Sequence, residues 1–148
     1  MLRCAVAILG LALACGCNKD ATGPTVSPAV TDTVEDQGAT FQVDVGWRAV
    51  TATEVELVVK MTATGIEQTD KLVVDVKTNG FVVTQGVPDW SGFIQPREKY
   101  THRVSYQLLD DEDSGRATVT ISRSMDGTLL WDTELLFAKD GDQIRLAQ

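Results

Sequence analysis

A few side chains of this sequence have the type and setting to do chemistry: thiols near the start, one imidazole, a run of four acids, and a tryptophan set among turn residues. The cysteines end at Cys17, and no thiol follows through to Gln148. A lone thiol there cannot form an intramolecular disulfide with anything downstream, so in an exported protein its sulfur needs another use. His102 is the only histidine. It stands on the apolar parity of an alternating stretch, between Tyr100 and Val104, whereas Ser105 takes the opposite parity. A base is therefore not set beside a nucleophile, and no Gly-x-Ser-x-Gly elbow occurs. One histidine and no later thiol exclude the common zinc ligand sets. No catalytic residue and no cofactor is expected.

Two further stretches could hold a ligand. Asp110, Asp111, Glu112 and Asp113 suggest a calcium site built on Asp110, Asp111 and Asp113. Counted from Asp110, Gly115 holds the sixth position of an EF-hand loop, but Ile121 stands twelfth, where glutamate is required. A solvated acidic turn is the competing reading. Trp90, in "GVPDWSGF", could stack on a sugar or anchor a partner. Its alternative is a ring folded over an open end of the core.

The segment that carries the thiols has its own pattern. Residues 5–14 contain no charge and follow a single Arg3. This is the layout of a secretory signal peptide, and the run is too short for a bilayer span of about 20 residues. The end of the run, "LALACGC", resembles a bacterial lipobox, in which small and apolar residues lead to a cysteine that becomes the acylated first residue. Two frames fit, ending at Cys15 or Cys17; Gly16 before the cleavage favours Cys17. The resemblance implies residues 1–16 as a signal peptide, acyl chains such as palmitate on Cys17, and anchoring to the cell membrane or outer membrane, facing periplasm or exterior. Asn18 is not the aspartate that favours inner-membrane retention in that family. Two or more acyl chains suffice for stable anchoring.

Without residues 1–16 the chain has 12 basic and 21 acidic side chains, a net charge of −9. Such a charge repels polyanions, which argues against a nucleic-acid partner. Residues 17–39 are expected to be the lipidated cysteine and a flexible linker, because "NKDATGPTVSPAVTDTVEDQG" has two prolines, two glycines and no aromatic side chain. Extended, it would reach roughly 70 Å. The alternative is an edge strand that tolerates Pro28.

From about Thr40 to Gln148 the apolar period is two. Phe41, Val43, Val45 and Trp47 alternate with polar residues, as do Val55, Leu57, Val59 and Met61. Leu72, Val74 and Val76 follow, then "FVVT" at 81–84. Next come Tyr100, Val104, Tyr106 and Leu108, then Ala117, Val119 and Ile121, and finally Leu129, Trp131, Leu135 and Phe137. Closely spaced strands with turn residues between them indicate an all-β antiparallel sandwich of about seven strands, with a barrel as the alternative. In "SRSMDGTLLW" a two-residue Asp126-Gly127 turn would set Ile121 against Asp132. A three-residue loop with left-handed Gly127 and a bulge sets Ile121 against Trp131, Val119 against Thr133 and Ala117 against Leu135.

The arrangement Asp113-Ser114-Gly115-x-Ala117-x-Val119 is similar to the corner leading into the sixth strand of immunoglobulin-like domains. Ala117 stands where that family has tyrosine, and Val119 where it often has cysteine. The resemblance implies architecture, not activity. The expectation is a lipoprotein with a non-enzymatic Ig-like binding or accessory domain in the cell envelope, which binds a protein partner. The alternative is a carbohydrate-binding module in which Trp90 meets a glycan.

Overall fold

The computed structural model describes residues 25–147. Ten strands form among them: β1 (Ser27–Asp36), β2 (Ala39–Ala49), β3 (Glu54–Ala63), β4 (Leu72–Asn79), β5 (Phe81–Gln85), β6 (Asp89–Gly92), β7 (Lys99–Leu108), β8 (Ser114–Arg123), β9 (Leu129–Asp140) and β10 (Gln143–Ala147). They make two five-stranded sheets, ordered β1-β2-β3-β7-β5 and β10-β9-β8-β4-β6. Each neighbouring pair is antiparallel.

The core lies between the sheets and is filled by the inward residue of each pleat. Phe41, Val43 and Val45 of β2, Leu57, Val59 and Met61 of β3, and Val104, Tyr106 and Leu108 of β7 meet Leu72 and Val74, Val119 and Ile121, and Leu135 and Phe137 of the other sheet. These are the residues that the period of two assigns to the core. Leu129 is the exception, at 55% exposure.

The β8–β9 hairpin explains that exception. Ile121 pairs with Trp131, Val119 with Thr133 and Ala117 with Leu135, and Ser122 then pairs with Leu129 across a register shift. Gly127 has φ of +71°, the left-handed value that the turn requires. The turn itself differs from the expected three-residue loop. Arg123 N–H donates to the Thr128 carbonyl at 2.9 Å, and Gly127 N–H donates to the Arg123 carbonyl at 2.9 Å. Four residues therefore form the loop, and the bulge falls at Leu130. Core selection fixes the register beyond the bulge but leaves the tip free to choose its own geometry. Leu129, on the turn side of the bulge, loses the core parity.

Three strands go beyond the expected seven: β1, β6 and β10. The linker expected over residues 17–39 is corrected in its second half, where β1 pairs along β2 from Ser27↔Trp47 to Asp36↔Ala39. Its register shifts between Pro28 and Val30, so the bulge breaks the alternation that would have marked a strand. Polar ties add to the burial of Val34 in the core. Arg123 donates to both carboxylate oxygens of Asp36, which is only 5% exposed, and the Trp131 indole N–H donates to Asp32 at 3.1 Å. Both ties cross from one sheet to the other and hold this edge shut. β6 has four residues and β10 has five, of which only Ile144 is buried, too little pattern for a period to register.

Candidate functional site

The residues singled out for chemistry fall in three places. Cys15 and Cys17 lie outside the described residues. Trp90 and His102 come together along one side of the sandwich, where β6 and the first half of β7 are the sheet edges. Asp110, Asp111 and Asp113 lie at the opposite end, in the β7–β8 connection.

On that side, β6 pairs Trp90 with Val74 of β4, which points the indole toward the gap between the sheets. Trp90 stacks on Tyr100 of β7, with ring centroids 3.9 Å apart and an interplanar angle of 26°. Its benzo edge also lies over Gly92, where an added Cβ would come within 2.5 Å of the ring. One indole face is therefore occupied by Tyr100, and the ring is partly buried against the core. Burial raises the Tyr100 hydroxyl pKa above its ordinary value. Sequence reasoning placed Tyr100 on a core-facing parity but gave no sign of this stack, because its partner arrives from the other sheet. Trp90→Ala is expected to lower unfolding free energy by about 2 kcal/mol, from lost burial plus the aromatic pair, as read by urea denaturation. Tyr100→Ala is expected to be non-additive with it.

His102 is buried, at 8% exposure, opposite Val59 of β3. Its Nε2 has no hydrogen-bond partner among the described residues. Desolvation lowers its pKa below the usual value, opposed by the carbonyls of Pro88 and Val87 and by the Asp89 carboxylate. Ser105, also buried, is three positions along the strand and faces the other way, so the two do not form a nucleophile–base pair.

A pH effect follows with a definite sign. The unfolded chain protonates its histidine near pH 6.5, whereas the folded chain resists doing so. The unfolded state then binds more protons, and stability falls with falling pH. The loss starts as pH drops below about 6.5 and continues until the folded-state pKa is reached. His102 is the only histidine, and Glu56, held below its usual pKa by a hydrogen bond from Arg48, stays ionised across this window. Thermal scans from pH 7.5 to 5.5 are expected to show a falling Tm that His102→Phe flattens.

The acidic run does not gather into a cation site. Asp110, Asp111 and Asp113 are all exposed, and the described residues hold no group of three or more His, Cys, Asp or Glu side chains placed to bind a metal. Asp113 instead meets Lys139 at 3.7 Å, and its carbonyl accepts from the Lys139 N–H. The three carboxylates of the calcium candidate thus lie on an exposed turn.

An open cleft of about 440 Å³ lies between the end of β2 and β10, lined by Trp47, Arg48, Ile144 and Arg145 among others. Its two cations are already engaged. Arg48 Nε is 2.6 Å from Glu56, and Arg145 Nε is 3.1 Å from Asp140.

One surface feature went unread in the sequence. Val82 is 50% exposed, Val83 39% and Val87 60%, all on or just after edge strand β5. The run Phe81–Val87 carries no charge, which was the available signal. The assembly as a whole is an antiparallel β-sandwich. No known protein family and no curated protein matches the chain.

Proposed function

We propose that the chain is an exported lipoprotein, lipidated at Cys17, whose β-sandwich is an immunoglobulin-like, non-enzymatic binding or accessory module of the cell envelope. The strand order supports the architecture. β2-β3-β7-β5 facing β9-β8-β4-β6 matches the order A-B-E-D facing G-F-C-C′ of immunoglobulin sandwiches. The corner Asp113-Ser114-Gly115 then leads into β8, in the position of strand F. The chain departs from that plan by adding β1 and β10 outside, and by forming β5 before β6 in sequence.

The observation that carries the functional reading is the direction of the chemistry-bearing side chains. Trp90 lies on Tyr100, His102 faces the core, and Arg123 is bound to Asp36. Trp90 and Arg123 hold the two sheets together, and His102 is turned into the interior rather than toward solvent. The leader pattern and the solitary mature thiol support the anchor. With β1 starting at Ser27, residues 18–26 would be the whole tether, so the domain would stay within about 30 Å of the acylated residue. That reach is less than half of what the composition alone suggested, and it selects partners at the membrane surface.

Intact mass of the mature protein tests the anchor. A chain starting at Cys17 with attached acyl chains is expected, and Cys17→Ser should move the protein to the aqueous phase. A chain cleaved elsewhere with a bare thiol would overturn the anchor. Cross-linking in intact cells tests the module role, with capture of a distinct envelope protein expected. Capture of no other protein would count against it.

A further inference from the structure

The two sheets are joined, along the side that holds His102, by a strap of chain. β5 stops at Gln85, opposite Ser105, and the next buried side chain is Ile94. Residues 86–93 lie between them and cover the edge of β7. Both ends of this strap are fixed. Gly86 has φ of +87°, and a Cβ there would lie 2.6 Å from the Arg103 carbonyl oxygen, so glycine alone lets the chain pass this close to β7. Ile94 N–H donates to Thr69 Oγ1 at 2.9 Å, and the Ile94 carbonyl accepts from the Thr69 N–H at 3.1 Å. Between the ends the hold is lighter. Val76 N–H donates to the Pro88 carbonyl at 2.9 Å, β6 pairs with β4 over its four residues, and Trp90 stacks on Tyr100. One of those pairs sets Asp89 against Asp75, and like charges directly opposite weaken a ladder.

His102 lies beneath the strap. It stands on the stretch of β7 beyond Ser105, which has β3 on one side and no strand on the other. The strap's groups near its ring are the carbonyls of Val87 and Pro88 and the Asp89 carboxylate. These attract a proton to the ring, yet Nε2 is buried and has no hydrogen-bond partner among the described residues. The other neighbouring elements supply none. β3 faces the ring with Val59, between Leu57 and Met61, and β4 turns Val74 and Val76 into the same core. β7 itself has Tyr100 and Tyr106, whose hydroxyls burial holds above their ordinary pKa. Arg103 is bonded to Glu56. A proton added to Nε2 would therefore create a charged donor that is both buried and unpaired, which is a costly arrangement.

We propose that residues 86–93 are a pH-sensitive strap, which lifts from β4 and β7 when His102 Nε2 takes a proton. Lifting admits water to the imidazole and so supplies the missing partner. It also parts Asp89 from Asp75. The alternative, movement of β7 away from β3, would break a ladder that runs from Glu54↔Gln107 to Thr62↔Lys99. The strap gives up only the short β6 ladder, the Pro88 bond and one aromatic stack, so it opens at a lower free energy than the whole domain. Opening takes the Trp90 indole off Tyr100 and strips β4 of its outer neighbour. Mild acid then uncovers an aromatic pair and a strand edge that neutral solution keeps closed.

The strap does not depend on the module reading, and the two can fail separately. The experiment is hydrogen exchange, read by mass spectrometry on the full-length chain carrying Cys17→Ser, at pH 7.5 and pH 5.5. Each rate is divided by that of the unfolded chain at the same pH. The β6 amides that bond to β4 are expected to exchange well ahead of those in β3 at both pH values, as a local opening requires. Their protection is expected to fall several-fold at pH 5.5. The limit is about tenfold, because an imidazole in water, with a pKa near 6.5, is then about ten parts protonated to one. His102→Gln and His102→Phe do not titrate, and in whichever of them keeps β3 protected the fall should shrink below about twofold. β6 amides as well protected as those of β3 overturn the proposal, since the strap would then open only with the whole domain. A wild-type fall below about twofold overturns it too, as does a fall that survives in a folded His102 variant.

Discussion

Gly115→Ala is expected to cost about 3 kcal/mol of folding stability, although the change adds a single methyl group. Gly115 lies on β8 opposite Phe137, in ordinary extended backbone that alanine could adopt. Strand propensity by itself favours alanine over glycine. Space decides the sign. A Cβ built on Gly115 would lie 2.6 Å from Cδ2 and 2.8 Å from Cζ of Phe81, well inside contact distance. The Phe81 ring has little room to yield, because it sits edge-on to Tyr106 at 6.4 Å and to Phe137 at 5.9 Å. Its remaining way out is toward solvent, which gives up the burial of the only buried side chain in β5. Either route is costly. Phe81→Leu is expected to recover part of the loss in the double variant, with a coupling energy of at least about 1 kcal/mol. Additive effects of the two changes would show that the contact is not the cause. Because Phe81 pins β5, the same substitution should speed hydrogen exchange at the Val82 amide, which faces β7, before it affects the centre of β3.

How far the sequence discloses this fold depends on how strongly each segment is selected for burial. β2, β3, β4, β7 and β8 each have one face in a dry core, so their period of two survives and can be read directly. The same selection fixes the hairpin register, since Ile121 opposite Asp132 would have buried a charge. The turn tip at Met125 and the position of the bulge bear no such load and were not recoverable. β1 is the instructive failure. It is ordered by a main-chain ladder and by carboxylates that find partners far away in sequence: Asp36 with Arg123, and Asp32 with Trp131. Nothing in a window of ten residues can announce a partner 87 positions away. Composition alone made β1 a linker, because buried or tied acids look the same as solvated ones in a string of letters.

Trp90 shows the same limit in a candidate site. An aromatic residue between Pro88 and Gly92 is compatible with a binding platform or a lid over the core, and the choice between them rests on what approaches the ring. That partner, Tyr100, comes from the other sheet after a crossing connection. His102 was legible because parity alone places it inward. The exposed β5 edge escaped for the opposite reason. A short apolar run signals a buried strand, and only the topology shows that this strand is the last in its sheet, with its outward side unmet.

Phe137→Ala is expected to be the most damaging core truncation, with a loss of about 4 kcal/mol. Phe137 is 1% exposed and belongs to β9, yet its ring contacts lie on the opposite sheet. It meets Trp47 of β2 edge-on, with centroids 5.5 Å apart at 73°, and Phe81 of β5 at 5.9 Å and 87°. Trp47 and Phe81 come from strands separated by β3 and β7 in the sheet order. One ring therefore braces both flanks of that sheet against its partner. Truncation removes the transfer energy of the ring, the two edge-to-face contacts, and the support under Phe81. Collapse is limited, because the surrounding strands are fixed by their ladders, so a cavity remains and its cost adds to the transfer loss. Phe137→Leu, which keeps most of the volume, should lose less than about 1.5 kcal/mol. Urea unfolding distinguishes these outcomes. The midpoint should fall steeply for alanine with the slope unchanged, as expected when stability changes but compactness does not. A domain of this size has only about 5–15 kcal/mol to lose, so the alanine variant should also show β5 exchanging its amides faster than β2. A loss under about 2 kcal/mol would mean that the sheets are held together chiefly at their edges, through Asp36–Arg123 and the Trp90–Tyr100 stack, rather than through this ring.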